Sequence, residues 1–162
     1  MSHPRNTHTR RGFSLIELLI VITIILIIIG MGAPYYAKVV MNAREVAAVN
    51  GVLAVSHMQV LYQGTYGRYA KTLTELGPPP GGAASPAAAG LIPTDLASGE
   101  KGGYKFAMTG DGNVYAMTAT PTTYGTSGSR SFYIDQNMSI AREHDGPEPA
   151  TANDKEFGTV QK

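Results

Sequence analysis

The stretch from Phe13 to Ala33 is 21 residues long, contains no proline and carries one charge, Glu17. As an α-helix it extends roughly 32 Å at about 1.5 Å per residue, enough to cross a hydrocarbon core about 30 Å thick. Ile and Leu dominate it, so no side of that helix is polar. A carboxylate four residues into such a segment is costly in lipid unless another group neutralises it. Arg5, Arg10 and Arg11 all precede Gly12, with no acid among them. The positive-inside rule therefore puts residues 1–12 in the cytoplasm and the rest of the chain beyond the membrane.

Two simpler readings compete. A secretory signal peptide has an apolar region of about 7–15 residues and small residues at its cleavage site. This run is longer, and Met31-Gly32-Ala33 leads into Pro34, a poor start for a processed chain. A plain signal anchor explains length and orientation. It explains neither Glu17 nor the Gly12-Phe13 pair at the boundary.

The string Arg10-Arg11-Gly12-Phe13-Ser14-Leu15-Ile16-Glu17-Leu18-Leu19-Ile20-Val21-Ile22 resembles the processing site and hydrophobic start of type IV prepilins, a family that includes the type II secretion pseudopilins. The resemblance implies cleavage between Gly12 and Phe13 by a prepilin peptidase, then N-methylation of Phe13. Gly12 offers minimal bulk at the scissile bond. The resemblance further implies that Glu17 of one subunit meets the Phe13 ammonium of its neighbour, so that two charges unfavourable in lipid cancel only in the correct register. Gly30, Gly32 and Pro34 weaken a helix interior. They mark either the helix end at the membrane surface or, as in the family, a bend or local melting within a continuing helix. The apolar pattern resumes after Pro34, which favours continuation with a kink.

Residues 35–63 read as an amphipathic half-helix. Val39, Ala43, Val46, Asn50, Leu53, His57 and Leu61 recur at helical steps, with Val40, Ala47, Ala54 and Met58 beside them. Lys38, Arg44, Glu45 and Gln59 fall off this stripe, which is expected to pack on a sheet. Gly64 and Gly67 end the helix near Gln63. Residues 64–101 form a Gly/Pro-rich connecting loop whose Ala83–Gly90 part is low in complexity and expected to be exposed. Residues 102–142 suggest an antiparallel sheet. Tyr104, Phe106 and Met108 alternate, Gly110-Asp111-Gly112-Asn113 supplies a hairpin turn, and Val114 to Thr120 returns. Ser131 to Asp135 and Met138 to Arg142 suggest two further strands. Residues 143–162 are polar and read as a flexible tail.

Several chemistries find no footing. Cysteine is absent, which excludes disulfides and thiolate ligands. His3, His8, His57 and His144 show no metal-ligand spacing. Asp111 and Asn113 fit a turn better than a calcium loop, which needs more oxygen ligands at fixed steps. Some pseudopilins bind calcium near the C-terminus, but no motif carries that property onto Asp135, Asn137 and Asp145. No nucleophile elbow or phosphate loop is present. The chain is expected to be no enzyme and to need no cofactor or metal. Cleavage after Gly12 would turn the net charge of +1 into −2 before the new terminus is counted. Lys101, Lys105, Arg130 and Arg142 are scattered, so nucleic acid is not an expected partner.

The expectation is thus an α+β, type IV pilin-like fold. A long N-terminal helix has a transmembrane, protruding first half (residues 13–34), and its second half lies on an antiparallel sheet of about four strands. The implied function is that of a filament subunit. Its implied partners are further copies of itself, the prepilin peptidase and methylase, an inner-membrane assembly platform, a cytoplasmic assembly ATPase and, before assembly, the inner membrane. Two alternatives stay open: a major pseudopilin of a type II secretion system, and a minor pilin acting as a DNA- or surface-binding module.

Overall fold

The structure, a computed structural model, describes residues 13–137 and 140–158. The chain divides into two units, Met1–Ala37 and Lys38–Lys162. Its first element is the helix α1, Leu15–Tyr66. Two one-turn helices follow, α2 (Leu73–Leu76) and α3 (Thr94–Ala97). Six strands complete the fold: β1 (Glu100–Lys101), β2 (Tyr104–Gly110), β3 (Tyr115–Pro121), β4 (Arg130–Asp135), β5 (Arg142–Asp145) and β6 (Lys155–Glu156). They form one antiparallel sheet in sequence order. The layout is α+β and type IV pilin-like, with six strands where about four were expected.

In the first unit, the backbone of α1 passes through Gly30, Gly32 and Pro34 as helix. The helix does not end at the Gly/Pro cluster. It ends at Tyr66, three residues later than expected. Gly67 follows with φ +74°, and its N–H closes the last turn on the Gln63 carbonyl at 2.8 Å. A glycine suits this left-handed position because it carries no Cβ.

In the second unit, the α1 face that turns inward is not the one the periodicity suggested. Ala48, Val49, Val52, Val55 and Tyr62 are buried, together with Glu45, Ser56 and Gln59. Val39, Val46 and Leu61 remain exposed. The buried apolar set packs with Tyr104, Phe106, Met117, Ala119, Phe132 and Ile134 of the sheet. These alternate along β2, β3 and β4, as one buried face of a strand requires.

Three further segments differ from expectation. The connecting stretch 64–101 contributes α2, α3 and β1, and within it Ala88, Ala89 and Ile92 are buried. The fourth strand expected at Met138–Arg142 lies instead at Arg142–Asp145; Met138 and Ser139 fall outside the described residues. Residues 143–162, expected to be a flexible tail, hold most of β5 and all of β6, and Ala150 is buried. The reason is non-local. Lys155 reaches Asp145 at 2.7 Å, and Phe157 stacks edge-on against Phe132 with ring centroids 5.6 Å apart.

Candidate functional site

Phe13 and Ser14 precede α1 in a non-helical conformation, and Phe13 is 79 % exposed. The Leu18 N–H donates to the Ser14 carbonyl at 3.2 Å, so Ser14 starts the hydrogen-bond ladder. Glu17 falls in the first turn of α1 and is exposed. Unpaired N–H groups make that end of a helix electropositive, which favours a carboxylate there. Past this turn, Leu18 to Val21 and Ile24 to Ile29 are exposed on every side of the helix. Thr23 hides its hydroxyl by donating to the Leu19 carbonyl at 2.7 Å. The most apolar 18 residues of α1 have a mean hydropathy of 2.9, and none is buried. Among the described residues α1 is the one helix long and apolar enough to cross a membrane. Gly12 lies outside the described residues, as do the surroundings of Gly32 and of the Pro34 ring. A side chain at Gly30 would meet nothing within 4 Å.

A helix apolar on all sides belongs in lipid or among other helices. One carboxylate at its first turn and a basic approach to it narrow the reading further. Residues 7–33 match the prokaryotic N-terminal methylation motif. That motif is the signature of type IV pilin and pseudopilin prepilins. It implies processing by a prepilin peptidase and assembly into a filament. The motif and the single long apolar helix fit a precursor anchored in the inner membrane. No curated protein and no solved structure matches the chain.

The second unit contains a charge cluster that the sequence reading missed. Glu45 of α1 is 1 % exposed. Its Oε1 accepts the Ser129 N–H at 2.7 Å and the Ser129 hydroxyl at 2.9 Å. Its Oε2 accepts two Arg130 N–H groups, at 2.9 and 2.7 Å. The remaining arm of Arg130 donates to Glu143 of β5 at 2.8 Å. Burial on its own would raise the Glu45 carboxyl. The Ser129 and Arg130 donors outweigh it and hold the carboxyl below its ordinary value. This cluster ties α1 to β4 and β5 across 85 residues of sequence. One signal of it was available: Glu45 is the last charged residue before Arg68.

Other polar residues of the sequence reading serve the fold. Asp111 Oδ1 accepts the Asn113 and Val114 N–H groups at 2.7 and 3.1 Å, the arrangement of a capped hairpin turn. Those bonds, led by Val114, lower its pKa. Asp135 accepts the Asn137 N–H and the Tyr133 hydroxyl, whereas Asp145 pairs with Lys155. Asp135 and Asn137 are thus joined to each other in a turn, while Asp145 is held by Lys155. Among the described residues no group of three or more His, Cys, Asp or Glu could hold a metal ion.

Proposed function

We propose that this chain is the structural subunit of a type IV pilus-like filament. It enters the inner membrane as a prepilin, with residues 1–12 in the cytoplasm and the second unit in the periplasm. Hydrolysis of the Gly12–Phe13 bond releases the basic leader and frees an amine on Phe13, which is then N-methylated. Phe13 sits outside the helix, where a protease at the cytoplasmic face reaches its peptide bond without unwinding a turn.

The observation that carries this reading is the lone Glu17 at the first turn of an exposed, apolar helix. In lipid, Glu17 and the new ammonium each lack water. Side by side from staggered subunits they neutralise one another, and attraction between them rises as the local dielectric falls. Extraction of the segment from the bilayer into a bundle of like segments keeps its apolar surface away from water throughout. The same residues then serve first as anchor and later as filament core. Extraction needs work, which a cytoplasmic ATPase acting through an inner-membrane platform would supply. The Gly30, Gly32 and Pro34 cluster supplies the point where α1 loosens as subunits pack. The assembled filament lies beyond the inner membrane, in the periplasm or outside the cell.

The test is the mass of the subunit in sheared filaments. A chain that begins at Phe13 and carries one added methyl group is expected. Gly12→Val should accumulate uncleaved precursor and yield no filaments. Filaments built of chains that retain residues 1–12 would refute the reading.

A further inference from the structure

Residues 46–67 contain no Asp, Glu, Lys or Arg. Over that span the inward face of α1 is accounted for by the core. Its outward face carries Val46, Ala47, Asn50, Ala54, His57, Val60, Leu61 and Gly64, all exposed. A helix that keeps one face in water ordinarily carries charge on it. This face instead has apolar and small residues, the kind that let helices approach closely. It belongs to the same helix whose start carries the assembly motif, so a second copy of the chain is the occupant that filament growth brings alongside. In the middle of the face stands one group able to take a charge near neutral pH, His57.

We propose that His57 makes the contact between subunits proton-sensitive: a neutral imidazole is tolerated there and an imidazolium is not. The inference rests on the filament reading above. Histidine is the side chain whose ordinary charge change falls between about pH 5 and 8. A charged group buried without a partner is strongly disfavoured. No partner is at hand. On α1, Glu17 stands 40 residues before His57, and Lys38 and Arg44 carry the same sign as an imidazolium. Glu100 of β1 and Lys105 of β2 lie exposed, and the acids that follow are engaged elsewhere. Glu45 is held by Ser129 and Arg130, and Arg130 also holds Glu143. Glu75 of α2 is held by Arg68 and by the Lys71 N–H. Asp95 of α3 pairs with Lys101. Asp111 and Asp135 bind backbone N–H groups. Among the described residues, no ion pair or side-chain hydrogen bond involves His57.

The experiment uses filaments sheared from cells expressing the full chain. They are incubated at steps from pH 8 to pH 5, and the pelletable fraction is measured. Wild-type filaments should lose about tenfold of their pelletable protein between pH 8 and pH 5, the range in which histidine gains its charge. His57→Gln keeps a polar side chain that cannot take the proton, and its filaments should stay intact throughout. His57→Lys should be processed normally and give at least about tenfold fewer filaments at every pH, the equivalent of one pKa unit. Because His57 is exposed in the subunit, neither variant should alter thermal unfolding of the detergent-solubilised chain. Identical pH curves for wild type and His57→Gln would overturn the inference and leave the filament reading standing, as would normal filaments from His57→Lys. Absence of wild-type filaments at every pH would overturn the filament reading and this inference together.

Discussion

Replacing Glu45 by alanine removes the acceptor of four hydrogen bonds, two of them from one guanidinium. Breaking a buried ion pair from one side costs about 3–5 kcal/mol, because the other charge is stranded. Here Arg130 keeps Glu143 at 2.8 Å, and its side chain is 28 % exposed. The low end applies, about 3 kcal/mol. For a body of this size that is a fall in Tm of roughly 10 °C. The assay is thermal and urea unfolding of the full chain in detergent, followed by near-ultraviolet circular dichroism of its nine tyrosines. The pH dependence has a definite sign. The folded Glu45 carboxyl lies below its ordinary value of 4.5, so the unfolded chain binds the proton more readily. The stabilisation is complete above that ordinary value and is lost as pH falls through the folded one. Glu45→Gln should therefore flatten the acid limb of the stability curve. A cycle of Glu45→Ala and Arg130→Ala should give a coupling of at least about 1.5 kcal/mol. A loss below about 0.5 kcal/mol, typical of an unremarkable surface change, together with no coupling, would refute the clamp.

Two further substitutions probe the core of the second unit. Gln59 donates to the Ala70 carbonyl at 3.0 Å and accepts the Ala70 N–H at 2.8 Å. Gln59→Leu strands both backbone groups and should cost about 2–3 kcal/mol, with hydrogen exchange at the Ala70 amide rising to match. At Gly128 an added Cβ would run into the Tyr104 ring and hydroxyl. Tyr104 is 1 % exposed and donates to the Arg130 carbonyl at 2.9 Å, so it has little freedom to yield. Gly128→Ala should lower stability by about 1–3 kcal/mol, and an unchanged urea midpoint would count against that packing.

The parts of this fold legible in the sequence were those with a local cause. The 13–33 segment needs only its composition. The β2–β3 hairpin needs alternation at Tyr104, Phe106 and Met108 and a turn at Asp111 to Asn113. The phase of α1 in the second unit was misread because the helix is apolar on two sides. Periodicity chose Val39, Val46 and Leu61, which are exposed. The buried side mixes Val49, Val52 and Val55 with Glu45, Ser56 and Gln59. Those polar residues are satisfied by Ser129 and Arg130, by the Tyr115 hydroxyl and by Ala70. Partners so far along the chain leave no trace in local spacing. The same holds for residues 143–162. Low hydrophobicity suggested disorder, whereas β5 and β6 are held by strand pairing, by Lys155 and by Phe157 over Phe132.

The claim beneath the functional reading is that Glu17 cancels the Phe13 amine of a neighbouring subunit. Filament yield from Glu17→Ala, normalised to cleaved and membrane-inserted subunit, measures it most directly. Cleavage and insertion should match wild type while sheared filaments vanish. Wild-type quantities of filament from that variant would contradict it.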